Sequence, residues 1–181
     1  MAKTLRYVVT IVAVLWIIEA VDFVIPFISL DTLGIHPRTL PGLLGIAFAP
    51  FLHGNFYHLA ANTVPFAVLS FILILTAPHE YFAVFAFTAL TSGAGSWLFG
   101  ERGSVHIGIS GVIFGMLGFL LARGFFTRNL LYVLVSGAVA ILYGGIIFGI
   151  FPTSRYISWE CHLFGFLGGV LFAKISAGKT A

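Results

Sequence analysis

Charge is what this chain of 181 residues has least of. Nine Lys and Arg and six Asp and Glu make up 8% of it, whereas 60% is hydrophobic and the mean hydropathy is +1.09. An ordinary soluble domain is about one quarter charged, so a soluble globular fold is excluded and the bulk of the chain must sit in lipid. Cysteine is scarcer still. A single thiol, Cys161, excludes an internal disulfide and a cysteine-based metal site. The net charge of +3 is spread along the chain rather than clustered, so no nucleic-acid partner is expected.

What fills the space is long apolar runs. A membrane helix needs roughly 20 apolar residues to cross about 30 Å of hydrocarbon. Breaks at Gly, Pro and charged positions give six spans at about 7–29, 56–77, 80–99, 110–123, 129–150 and 159–177. The expected fold is an all-α membrane protein, a six-helix bundle forming one domain over residues 1–181. The first run, Tyr7 to Leu30, is longer than the apolar core of a signal peptide and has no small-residue cleavage site, so it reads as a retained helix. The fourth is short for a crossing, which predicts that it starts within the membrane below a water-filled opening.

Charge placement sets the orientation. With the N-terminus inside, Lys3, Arg6, Arg123, Arg128, Lys174 and Lys179 are cytoplasmic, whereas Arg38, Arg102 and Arg155 lie outside. Six against three favours N-in and C-in. The long first loop (about 30–55), the loop before Ser110 and the loop around "FPTSRYISWE" then face outward.

Polar groups within such spans are costly and need an explanation. In "HGNFYHLAANT", His58 and Asn62 are four apart and share a helix face, as either hydrogen-bonding glue between helices or a functional pair. His53 is expected where the loop meets the helix, bonding backbone groups. The spacing lacks the carboxylate of H-E-x-x-H, so no metal site is expected there. In "GISG", Ser110 stands at the first turn of a helix, beside unpaired N–H groups that favour a developing oxyanion; a simple N-cap is the alternative. Gly111, Gly115 and Gly118 follow at i, i+4 and i+7. In "ECHLFGFLGG", His162 shares a face with Gly165 and Gly169. Two glycine faces would let these helices approach closely, bringing His162 within hydrogen-bond reach of Ser110, as a serine nucleophile needs of its base. Cys161 reads as packing and Glu160 as a first-turn carboxylate, with Ser158 as its helix cap and Trp159 as an interfacial anchor. Glu19 and Asp22 read as interior carboxylates bonding loop backbone. A proton-relay or transport reading would rest on these two alone.

In combination these residues resemble the rhomboid intramembrane serine proteases. The resemblance rests on H-x4-H-x3-N (His53, His58, Asn62), G-x-S-G-x3-G (Gly108, Ser110, Gly111, Gly115) and H-x2-G-x3-G (His162, Gly165, Gly169), on the second, fourth and sixth spans. It implies Ser110 as nucleophile and His162 as base of a dyad, and His58 and Asn62 as oxyanion donors together with the Ser110 N–H. It also implies cleavage of transmembrane substrates in the bilayer, at small residues, without cofactor or metal. The competing expectation is a non-catalytic relative that binds client helices, a class that typically loses the serine or the histidine. Two departures stand out. The Trp-Arg pair of many members' first loop is replaced by "PRTLPGLLGIAFAPFLH", and Ile109 takes the place of a frequent Ala. A chain of six spans, with neither a seventh helix nor a transit segment, is expected in a prokaryotic cytoplasmic membrane with its site open to the outer face.

Overall fold

The computed structural model describes residues 2–25, 27, 29–152 and 157–178. Lys3, Arg155 and Lys179, used above to orient the chain, fall outside the residues whose side chains are described, as does the middle of the "FPTSRYISWE" loop. Seven α-helices form: α1 (Ala2–Val24), α2 (Leu40–Phe48), α3 (Phe56–Thr76), α4 (Tyr81–Phe99), α5 (Ser110–Thr127), α6 (Leu130–Tyr143) and α7 (Trp159–Ala177). Six stretches are long and apolar enough to span a bilayer, with the fifth made of α6 and the 3-10 segment Gly144–Ile150 that continues it. Among the described residues there is no strand, only one antiparallel bridge between Ile35 and His106.

The spans differ in what surrounds them. α5 lies at the centre, packed by α7, α4, α6 and α3, and its window is 67% buried, against 6% for Leu130–Ile150. A helix apolar on every side can serve either position. Glycine decides which neighbours come close. A Cβ on Gly165 would lie 2.1 Å from the Gly111 carbonyl oxygen, and one on Gly169 1.9 Å from that of Gly115. The α5–α7 seam is therefore backbone against backbone. The expected pairing is refined in one respect: the bare Cα atom of Gly115 looks toward α4, at Thr88 Cβ, and that of Gly111 toward both α4 and α7, at Ser92 Oγ and the Cys161 sulfur. Three helices thus converge at van der Waals distance, which small residues permit.

The segment between the first two spans is not the plain loop expected. It contains α2, started by Thr39, whose hydroxyl accepts from Gly42 N–H at 3.1 Å, with a proline in the first turn. Gly42 and Gly45 press on the backbone of His36 and Gly34, while Leu40, Leu43, Leu44 and Phe48 stay exposed. Arg38 ties the segment to the end of α4. Its N–H donates to Trp97 O, its guanidinium donates to Leu98 O and Gly100 O at 2.8 Å each, and the Trp97 indole donates to Thr39 O. A tryptophan and an arginine thus support the loop here, drawn from two segments rather than one.

The opposite end of α5 closes differently. Arg123 extends inside the bundle at 1% exposure rather than into a cytoplasmic loop, and pairs with both carboxylate oxygens of Glu80 and with Ser176 Oγ. Its guanidinium lies over the Phe119 and Tyr132 rings. Near the C-terminal end of α1, Asp22 accepts the Leu30 N–H at 2.5 Å, and Glu19 is buried.

Candidate active site

Ser110 is the first residue of α5 and His162 lies in the first turn of α7. The glycine seam sets these helices close enough for Ser110 Oγ to donate to His162 Nε2 at 2.8 Å. The cap alternative for Ser110 does not apply, because Ile109 is the N-cap and the hydroxyl is turned to the imidazole.

The imidazole is held on its other side too. Nδ1–H donates to the Gly149 carbonyl at 2.9 Å, in the 3-10 turns that end the fifth span. That bond fixes the neutral tautomer in which Nε2 is the acceptor, the form a general base must have. Phe114, one helical turn after Ser110, stacks flat on the ring with centroids 4.1 Å apart and planes 6° off parallel. Neither partner was expected. Phe114 was legible at i+4 from Ser110, whereas a backbone carbonyl 13 residues from the histidine leaves no side-chain signature.

His58 and Asn62 sit on α3 across from the loop entering α5. Asn55 caps that helix by accepting the His58 N–H at 2.8 Å. Gly108 passes between them and Ser110 with φ +114°, and a Cβ there would lie 3.0 Å from His58 Cε1 and 3.8 Å from Asn62 Nδ2. Only glycine accepts both the dihedral and the approach. Asn62 Nδ2 is a buried donor with no partner among the described residues. Three residues on, Pro65 interrupts the α3 ladder and leaves the Ala61 carbonyl without its intrahelical donor.

Two expectations are corrected. His53 is buried but bonds no backbone: both ring nitrogens lack a partner among the described residues, and the ring meets His58 edge to face at 5.2 Å. Burial, and then the His58 ring, push its pKa down to about 3, so it stays neutral. Ser158 holds the N-cap position of α7 without capping it. Its hydroxyl is instead 2.6 Å from Nδ1 of His106, a residue not singled out from the sequence. Cys161 packs as expected, its sulfur 2.8 Å from Ser92 Oγ.

Ser110, His162, His58 and Asn62 all line one cavity of about 610 Å³, together with Tyr57, Ile146 and Ile157 among others. It has the volume of a small-molecule or peptide site, to which α5 and α7 contribute Ser110 and His162 and α3 contributes the His58 imidazole and the Asn62 amide.

Comparison with known proteins identifies the family of the chain. The Rhomboid domain profile matches residues 41–179. An "Uncharacterized protein" of Mycobacterium tuberculosis is 39% identical over 176 residues, covering 93% of this chain and 73% of its own length. Another, of Mycobacterium leprae, is 38% identical over 176 residues, covering 93% and 69%. A Bacillus subtilis protein named a "Putative rhomboid protease" is 27% identical over 129 residues, covering 71% and 64%. The profile spans both glycine-lined helices and every residue of the cavity wall named above, and the chain is a multi-pass membrane protein of the rhomboid family.

Proposed function

We propose that the protein is an intramembrane serine endopeptidase that cleaves transmembrane segments of other membrane proteins through Ser110 and His162. The observation that carries this reading is the chain of two hydrogen bonds from Ser110 Oγ through the His162 ring to the Gly149 carbonyl, opening on a cavity. A serine hydroxyl becomes a useful nucleophile only beside a base, and the base works only if a third group holds its tautomer. Here a neutral carbonyl takes the part that a carboxylate plays in a triad.

Ser110 Oγ attacks the scissile carbonyl and its proton passes to His162 Nε2. The tetrahedral oxyanion is held by the Ser110 N–H, His58 and Asn62 Nδ2. A buried donor without an acceptor is costly in the resting protein, and that cost is relieved when the oxyanion arrives, as transition-state stabilisation requires. His162 then delivers its proton to the leaving amine. Water attacks the acyl-enzyme with His162 again as base, releasing the second fragment and restoring Ser110.

A transmembrane helix has every backbone group bonded internally, so it must unwind locally before a peptide bond can reach Ser110. Orientation with both termini inside puts the site at the outer face, where water can enter. The distribution of Lys and Arg supports this, although Arg123 is consumed by its pair with Glu80. The test is reconstitution in vesicles with a single-span substrate. Wild type is expected to cut it and Ser110→Ala to leave it whole; cleavage by Ser110→Ala at the wild-type rate would overturn the reading. An intact substrate in both, with the client helix still co-purifying, would favour the client-binding alternative.

A further inference from the structure

The reading above leaves His106 without a part, yet its backbone and both of its ring nitrogens are hydrogen-bonded. Its ring is buried at 6% exposure. Its backbone pairs in both directions with Ile35, each bond 3.0 Å, fastening the loop before Ser110 to the segment between the first two spans. Its Nε2 is 2.9 Å from Ser104 Oγ, and its Nδ1 is 2.6 Å from Ser158 Oγ. The end of α4 closes over it, for a Cβ on Gly100 would lie 2.5 Å from Nε2.

The protons can be assigned. Ser104 Oγ donates its single hydrogen to Glu101 O at 2.6 Å, so it must accept from His106 Nε2–H. His106 is then neutral with Nδ1 bare, and Nδ1 accepts the Ser158 hydroxyl. Burial lowers the pKa of His106 and keeps this tautomer in place.

The consequence lies in where the two ends of this bond sit. His106 is four residues before Ser110 in the loop that delivers it, and Ser158 is four residues before His162, whose N–H donates to Ser158 O at 3.2 Å. We propose that His106 is a positioning residue: by gripping Ser158 it locks the loop that presents Ser110 to the first turn of the helix that presents His162. The seam of glycines sets how close α5 and α7 lie, but backbone contact alone leaves the helices free to slide. The His106–Ser158 bond fixes the register at the end where chemistry occurs. Ser158 forgoes its capping bond to make it. This inference rests on the serine-protease reading of Ser110 and His162.

The experiment measures kcat and KM separately for reconstituted wild type, His106→Phe, Ser158→Ala, Ser158→Thr and the His106→Phe/Ser158→Ala double variant, with Ser110→Ala as the blank. Phe keeps the ring volume and removes both ring bonds. Ser158→Ala removes the same bond from the other side, should the Phe variant fold poorly. The expected result is a kcat loss of roughly 10- to 100-fold in both single variants with KM little changed, since a misplacement of about 1 Å can cost 10²-fold. The double variant should fall no further than the worse single one, and Ser158→Thr, which keeps the hydroxyl, should recover most of the loss. Wild-type kcat in Ser158→Ala, or losses that multiply in the double variant, would overturn the positioning role and leave the protease reading standing. A wild type no more active than Ser110→Ala would overturn the protease reading and the positioning role with it.

Discussion

The two ends of α5 each bury a polar cluster against α7, and they are built on opposite principles. At the C-terminal end Arg123 carries a full charge inside the bundle, answered by both oxygens of Glu80, by Ser176 and by two aromatic faces. Nothing is left for a ligand at the guanidinium tips. At the N-terminal end Ser110 and His162 are neutral, bonded in a line rather than a closed ring, and beside them Asn62 has a donor without a partner among the described residues. The Arg123 cluster has its charge answered by a carboxylate and leaves only Nε without a partner among the described residues, whereas the Ser110 cluster leaves its spare amide donor at the edge of a cavity. One helix thus holds an anchor at one end and the proposed nucleophile at the other, with a glycine seam between them.

The sharpest way to break this comparison is to cut each end in turn. Ser110→Ala and His162→Ala should each lower proteolysis on the order of 10³-fold or more, and Ser110→Ala, which removes a single oxygen, should leave thermal unfolding in detergent little changed. Arg123→Ala should do the reverse. It strands the Glu80 carboxylate and should cost about 3–5 kcal/mol of stability in a denaturation titration, whereas replacing both partners with apolar residues should be far milder. If Arg123→Ala unfolds no more easily than Ser110→Ala, the division between anchor and reactive end is wrong.

A finer cut lies within the Ser110 end. His58→Ala should slow turnover by about 10²-fold, the usual cost of removing one oxyanion donor. The measurement is kcat on a fixed substrate, and unchanged turnover would return His58 to a packing role.

How much of this the sequence carried can be argued residue by residue. The six spans were legible because continuous apolar runs have one physical solution in lipid, and the pairing of Ser110 with His162 was legible because glycines at helical spacing mark surfaces that can touch. α2 was not, since Pro41, Gly42 and Gly45 read as loop residues; the overlooked signal was Thr39, a cap followed by a proline in the first turn. Gly149 was hidden because its contribution is a carbonyl, which every residue has. His106 was hidden because its partner lies 52 residues away, and Ser158 was misread because its local role as a cap lost to that distant one.

The smallest effect expected concerns pH. Burial and the neighbouring Asp22 push Asp31 up to about 6, whereas burial holds His53 down at about 3. On acidification below the ordinary histidine value of 6.5, the folded state loses stability through His53, which protonates more readily when unfolded. It gains stability through Asp31, which protonates more readily when folded, from about pH 6 down to its ordinary value of 3.8. The two oppose each other. Asp31→Asn should therefore make the decline in stability between pH 6.5 and 4 steeper than in wild type, by thermal melts across that range; an unchanged slope would mean Asp31 does not oppose His53.

The central claim is that His162 makes Ser110 a nucleophile. The most direct measurement is labelling of the detergent-solubilised protein with a fluorophosphonate, followed by mass spectrometry of the modified peptide. The account predicts one adduct, on Ser110, formed by wild type and lost in His162→Ala while the fold is retained. An adduct on another residue, or labelling of Ser110 at an undiminished rate without His162, would contradict it.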